Sequence, residues 1–139
     1  MFIKNQFIDD PRELEIISKK LRKKIIEISF KSKAHHIGTE LSCIDLLCVL
    51  YFNTMKYNSK LISDLQNDWF ILSKGHGALA QYVTLAEAGF FSYNKLEKNF
   101  LKNGGIFGGH PDKLIQYGIE ISSGSLGHGL SIGAGVAIA

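Results

Sequence analysis

Trp69-Phe70-Ile71-Leu72-Ser73-Lys74-Gly75-His76-Gly77-Ala78 is the stretch that decides the reading of this chain. Its four leading apolar residues, bounded by polar ones, have the length of a buried strand. They run into a turn in which glycine stands on both sides of a histidine. A helix is then expected from about Ala78 to Ala88, stopped by Gly89. Strand, glycine-flanked turn and helix start is how an α/β fold presents a loop to a ligand. Glycine lets backbone approach a bound group closely, and a helix start offers free N–H groups. The expected fold class is therefore α/β, a parallel sheet flanked by helices.

The pairing of histidine with glycine recurs along the chain. His36 stands in His35-His36-Ile37-Gly38, His110 in Gly108-Gly109-His110-Pro111, and His128 in Gly124-Ser125-Leu126-Gly127-His128-Gly129. Imidazole can donate to phosphate or hydroxyl oxygens, so His36, His76 and His110 are candidate site residues. A capping or core histidine is the plain alternative for each. His35 is expected to face solvent, and His128 is left between a helix cap and a contact.

Outward from these motifs the elements follow in order. Residues 1–10 read as an irregular lead-in and residues 11–139 as one domain. Asp10 can cap a helix that opens on Pro11, with Leu14, Ile17, Leu21, Ile25 and Ile28 forming one apolar stripe to about Phe30. Lys31 to Leu41 reads as a loop containing Gly38. A second helix is expected to start at Ser42, with Asp45 at capping-box spacing, and its near-continuous apolar run places it between layers. Tyr57 to Asp68 reads as polar linker, and Ser92 as the cap of a short helix from Tyr93 to Leu101. Lys102 to His110 is a glycine-rich loop. Ser122 to Gly129 is a second loop that opens a final helix of small residues. That helix reaches Ala139 without a cap or polar finish, and the chain is expected to be C-terminally incomplete.

Bulk properties narrow the class. The 139 residues suffice for one domain with a core, and 45% hydrophobic with 21% charged residues is ordinary for a globular chain. The net charge of +3 is concentrated early: residues 1–33 hold nine Lys and Arg against five Asp and Glu. A solvated helix face explains this better than a nucleic-acid stripe, so no nucleic-acid partner is expected. Cys43 and Cys48 have no second pair for a zinc site and read as free buried thiols. No unbroken apolar run reaches the ~18 residues that span a bilayer, no signal-peptide layout opens the chain, and a cytoplasmic location is expected.

Five blocks in order carry a resemblance to a known family. They are His35-His36-Ile37-Gly38; Leu41-Ser42-Cys43-Ile44-Asp45-Leu46-Leu47; Ile71 to Ala78; Gly109-His110-Pro111-Asp112; and Ser123-Gly124-Ser125-Leu126-Gly127-His128-Gly129-Leu130. Together they resemble the N-terminal, thiamine diphosphate-binding domain of transketolases, over roughly residues 12 to 139. With Ala86-Glu87-Ala88-Gly89-Phe90-Phe91, they are most similar to the separate N-terminal subunits of split transketolases. The resemblance implies a thiamine diphosphate-binding fold, here its first part, and transfer of a two-carbon ketol unit between sugar phosphates, with the cofactor supplying the carbon chemistry. It further implies, as partner, a pyrimidine-binding, C-terminal transketolase subunit, in a dimer or heterotetramer.

Carried over block by block, His36 and His110 resemble donor-contacting histidines. His76 resembles the histidine near the cofactor's diphosphate and reactive ring. Gly124, Ser125 and Leu126 match the segment that touches the aminopyrimidine. Two departures stand out: Ile37 replaces a frequent proline, and His128 a frequent glutamine. The family's Mg²⁺ motif, Gly-Asp-Gly followed by Asn, is absent, so no metal ligand is assigned here and the Mg²⁺ ligands are expected beyond Ala139. The glutamate that activates the cofactor belongs to the partner domain, so the 139 residues alone are expected to be inactive. A noncatalytic binding or structural remnant of the same fold is the alternative reading.

Overall fold

The computed structural model describes residues 7–59 and 67–139. The first six residues of the expected lead-in and residues 60–66 of the expected linker lie outside the described residues.

Helix α1 spans Pro11–Ser32. Asp10 Oδ1 accepts from the Arg12 amide at 2.9 Å and proline occupies the first position, where its missing N–H costs nothing. Lys33 ends the helix in the left-handed region, its N–H bonding back to the Ser29 carbonyl. Leu21, Ile25 and Ile28 are buried along the inner stripe, each contributing about 2 kcal/mol by area removed from water. The outer lysines and arginine meet acids: Lys19 with Glu15, Lys20 with Glu87, Arg22 with Asp45 and Lys31 with Glu97. The last three tie α1 to its neighbours.

Helix α2 spans Ile37–Val49 and continues through a wider π turn, Leu50–Thr54. It starts well before the expected Ser42. Gly38 therefore lies in its first turn rather than in a loop, and the Ser42 hydroxyl bonds back to the Thr39 carbonyl at 2.8 Å instead of capping. Nor is the helix covered all round. Ile44, Leu47 and Tyr51 are core residues, but Leu46 is 62% and Val49 41% exposed. By length and composition alone the run Ile37–Thr54 could cross a membrane. In the fold it packs on α1 and on α3, the next helix, with Glu40 buried among its residues.

Helix α3, Ala78–Glu87, is the centre of the molecule, buried without a break from Ala78 to Ala86. Its Ala-rich start lets α2 approach, and Gly89, at φ +87°, takes the chain away beyond it. Helix α4, Tyr93–Asn99, is capped by Ser92, whose hydroxyl accepts from the Lys95 amide. Helix α5, His128–Ile138, closes the order. Its Leu130 and Ile138 are 83% and 88% exposed.

The expected parallel sheet does not appear among the described residues. Trp69 to Leu72 forms no strand among them, no neighbouring strand pairs with it, and Trp69 is 49% exposed rather than buried. The β pairing described is confined to two isolated bridges, Phe100 with Phe107 and Leu114 with Ile119. A strand becomes a sheet only when another backbone meets its N–H and C=O groups, a nonlocal condition that four apolar residues cannot encode.

Candidate functional site

Three segments bring the site together around the N-terminal ends of α2 and α3. His36 occupies the cap position of α2 without a side-chain cap bond, so its ring is free to face elsewhere. His76 lies in a 3₁₀ turn, Gly75–Gly77, that leads directly into α3. His110 comes from the loop after α4, which is anchored by buried Phe107 and closed by the Leu101 amide bonding to the Phe107 carbonyl at 3.0 Å. The Tyr82 hydroxyl of α3 donates to the His110 carbonyl at 3.3 Å, and the Ser123 amide donates to the Pro111 carbonyl at 3.0 Å.

The rings converge. His36 and His76 have centroids 5.7 Å apart at 72°, and His36 and His110 have centroids 5.4 Å apart at 71°. Both pairs are edge-to-face. Three histidines chosen from separate sequence motifs thus share one place, with His36 in the middle.

The loop before α5 docks onto the Ser73–Gly77 turn backbone to backbone. A Cβ on Gly75 would lie 2.6 Å from the Ser123 carbonyl carbon, and one on Gly129 would lie 2.4 Å from Ser73 Cβ. The Gly129 amide donates to Ser73 Oγ at 3.1 Å, which fixes the start of α5 against the turn. Gly124 faces the His110 ring, where an added Cβ would stand 3.2 Å from Cδ2. A cavity of about 280 Å³ opens between these segments, lined by His110, Asp112, Ser123, Gly124, Ser125 and His128 among others. His110 therefore belongs both to the cavity wall and to the histidine cluster, whereas His36 and His76 belong to the cluster alone.

The remaining sequence candidates are placed less centrally. Ser125 is exposed, its hydroxyl 3.5 Å from His128 Nε2, and Leu126 is 66% exposed. His128 is the first residue of α5 and lines the cavity. His35 is exposed. Among the described residues no group of three or more His, Cys, Asp and Glu is arranged to hold a metal ion.

Two buried polar groups, one on this wall and one outside it, carry no sequence signal. The Ser123 hydroxyl is buried beside the cavity without a hydrogen-bond partner among the described residues. A buried unpaired hydroxyl is costly, so it marks a place where a ligand acceptor or donor is wanted. Glu120, just ahead of the same loop, also has a buried oxygen without such a partner, and burial pushes its carboxyl up to about 7. Sequence reasoning misses both, because partnering depends on what the fold brings near.

A family profile described as "Transketolase, thiamine diphosphate binding domain" matches residues 15–139. The chain is 44% identical over 126 residues to an apulose-4-phosphate transketolase subunit of Phocaeicola vulgatus, covering 91% of this chain and 44% of that protein. It is 38% identical to the like-named subunit of Actinobacillus succinogenes, covering 91% of this chain and 46% of that protein. The chain thus spans somewhat under half the length of these relatives. The solved "Transketolase from Leishmania mexicana" superposes with a TM-score of 0.83 at 32% identity, over 90% of this chain and 19% of that one. That superposition supports a thiamine diphosphate-binding fold, although the described residues are mostly helical.

Proposed function

Because this chain belongs to the transketolase family, whose thiamine diphosphate-binding domain it matches over residues 15–139, we propose that it forms one wall of a ketol-transfer site. The reaction is movement of a two-carbon ketol unit between sugar phosphates. The observation that carries the proposal is the meeting of His36, His76 and His110, with centroid separations of 5.7 and 5.4 Å, beside the docked loop Ser123–Gly129. The cavity, the glycine-lined approach and the unpaired Ser123 hydroxyl suit an organic cofactor with polar edges.

When bound, thiamine diphosphate supplies the nucleophilic carbon for cleavage of the donor ketose. The chain's own residues bind and orient. Gly124, Ser125 and Leu126 would border the aminopyrimidine, with Gly124 leaving the His110 ring its place. His76, at the turn that opens α3, would donate toward the diphosphate and reactive ring, where free backbone N–H groups also favour negative charge. His36 and His110 would donate to the donor sugar's carbonyl and hydroxyl oxygens and hold or pass a proton there. Mg²⁺ belongs to the same reading, with its oxygen ligands proposed to come from beyond Ala139.

The two relatives named as transketolase subunits support the reading that a pyrimidine-binding subunit is the partner, in a dimer or heterotetramer. In that assembly, further strands would pair with Trp69–Leu72 to give the family's parallel sheet. A cytoplasmic setting is part of the proposal. The experiment is ketol transfer from xylulose 5-phosphate to ribose 5-phosphate: none is expected from the 139 residues alone, and turnover by them would overturn the need for a partner.

A further inference from the structure

We propose that Lys74 is a positioning residue that sets the spacing of His36 and His76. Its role in catalysis rests on the ketol-transfer reading of the site; the contact itself does not. The Lys74 ammonium donates to the Thr39 carbonyl at 2.9 Å and to the Ser42 hydroxyl at 2.8 Å. Both acceptors lie in the opening turns of α2, and the Thr39 amide in turn bonds to the carbonyl of His36 at 3.0 Å. One side chain thus joins the helix that follows His36 to the turn that holds His76, two residues away.

A second observation concerns the path of the stem. A Cβ on Gly77 would stand 3.3 Å from Lys74 Cε and 3.7 Å from Cys43 Sγ. The bare Cα of Gly77 leaves the lane along which the lysine crosses to α2. The ammonium's nearness to α2 is felt by Cys43: burial raises that thiol's pKa, and Lys74 acts in the opposite direction. An ammonium has three protons, and two are directed at protein acceptors, so the side chain is engaged before any ligand arrives.

The test uses the ligand-free chain with labelled histidines, observed by nuclear magnetic resonance. In the parent, ring-proton cross-peaks are expected for both His36–His76 and His36–His110. Lys74→Met, close in length but without donors, is expected to abolish the first and retain the second. Lys74→Arg should restore it at least in part. Ser42→Ala, which removes one acceptor and leaves Lys74 untouched, should weaken the first cross-peak alone. Retention of both cross-peaks at parental intensity in Lys74→Met overturns the proposal. If Lys74→Met loses both because it fails to fold, Ser42→Ala decides: selective weakening supports the positioning role, and parental intensity overturns it. No cofactor enters this experiment, so a separate failure to bind thiamine diphosphate would count against the proposed function and leave the Lys74 contact standing.

Discussion

His36 and His110 stand edge to face with ring centroids 5.4 Å apart, although one caps α2 and the other follows α4. A separation that short lets both imidazoles reach one small group. In an assembly of this chain that turns over sugar phosphates, His36→Ala and His110→Ala are each expected to lower kcat/KM about 100-fold. Because the rings touch, the double variant should lose less than the product of the two. Steady-state kinetics on the three variants checks this; fully multiplicative losses would mean that the histidines act separately.

The docked loop makes a contrast between glycines. Gly75→Ala and Gly129→Ala would place methyl groups 2.6 and 2.4 Å from existing atoms, so backbone must move. Each is expected to cost about 3 kcal/mol. Gly38 has nothing within 4 Å of its Cβ position and lies in the first turn of α2, so Gly38→Ala should stabilise by about 0.5 kcal/mol. Denaturant midpoints would rank the three variants. A destabilising Gly38→Ala would return that residue to a loop.

Stability should also depend on pH through two buried acids. Burial pushes Glu40 up to about 7, with the Ser29 hydroxyl acting the other way, and Glu120 also up to about 7. Both folded-state values lie above the ordinary 4.5, so the folded chain binds these protons more tightly than the unfolded one. Their destabilising effect is absent well below pH 4.5, and stability is lost as pH rises from there through about 7. Glu40→Gln keeps an acceptor for Ser29 and removes the charge. It is expected to be more stable than the parent at pH 8, by on the order of 2 kcal/mol, with the gain vanishing near pH 4. A gain that is the same at both pH values would point to packing instead.

Exposed apolar residues on two helices predict self-association of the isolated chain. Leu130 and Ile138 on α5 and Leu46 on α2 are uncovered, and apolar surface of this kind is normally met by a partner. Sedimentation velocity should show concentration-dependent species, reduced by a Leu130→Glu, Ile138→Lys double variant. A monodisperse parent would contradict this.

What is legible in the sequence is local. Asp10 with Pro11, Ser92, and the α3 start at Ala78 all stand where the motifs put them, because caps and fixed backbone angles act within a few residues. The start of α2 is not legible in this way. Ser42 resembles a cap, whereas buried Glu40 and the Ser29 hydroxyl that donates to it depend on α1. Trp69–Leu72 has the pattern of a strand in a sheet, but it forms no strand among the described residues. The histidines are found one by one through their glycines. Their convergence depends on Tyr82, Phe107 and the Ser73–Gly129 contact, none of which a single motif contains.

Whether these histidines face thiamine diphosphate can be read by titrating the isotope-labelled chain with the cofactor and Mg²⁺ at millimolar concentration, followed by nuclear magnetic resonance. Weak binding suffices for that readout. The ring signals of His36, His76 and His110 and the amides of Gly124 to Leu126 are expected to shift together along one binding curve, while exposed His35 stays in place. Shifts that leave the three rings unmoved, or that gather at His35 or the outer face of α1, would contradict the assignment.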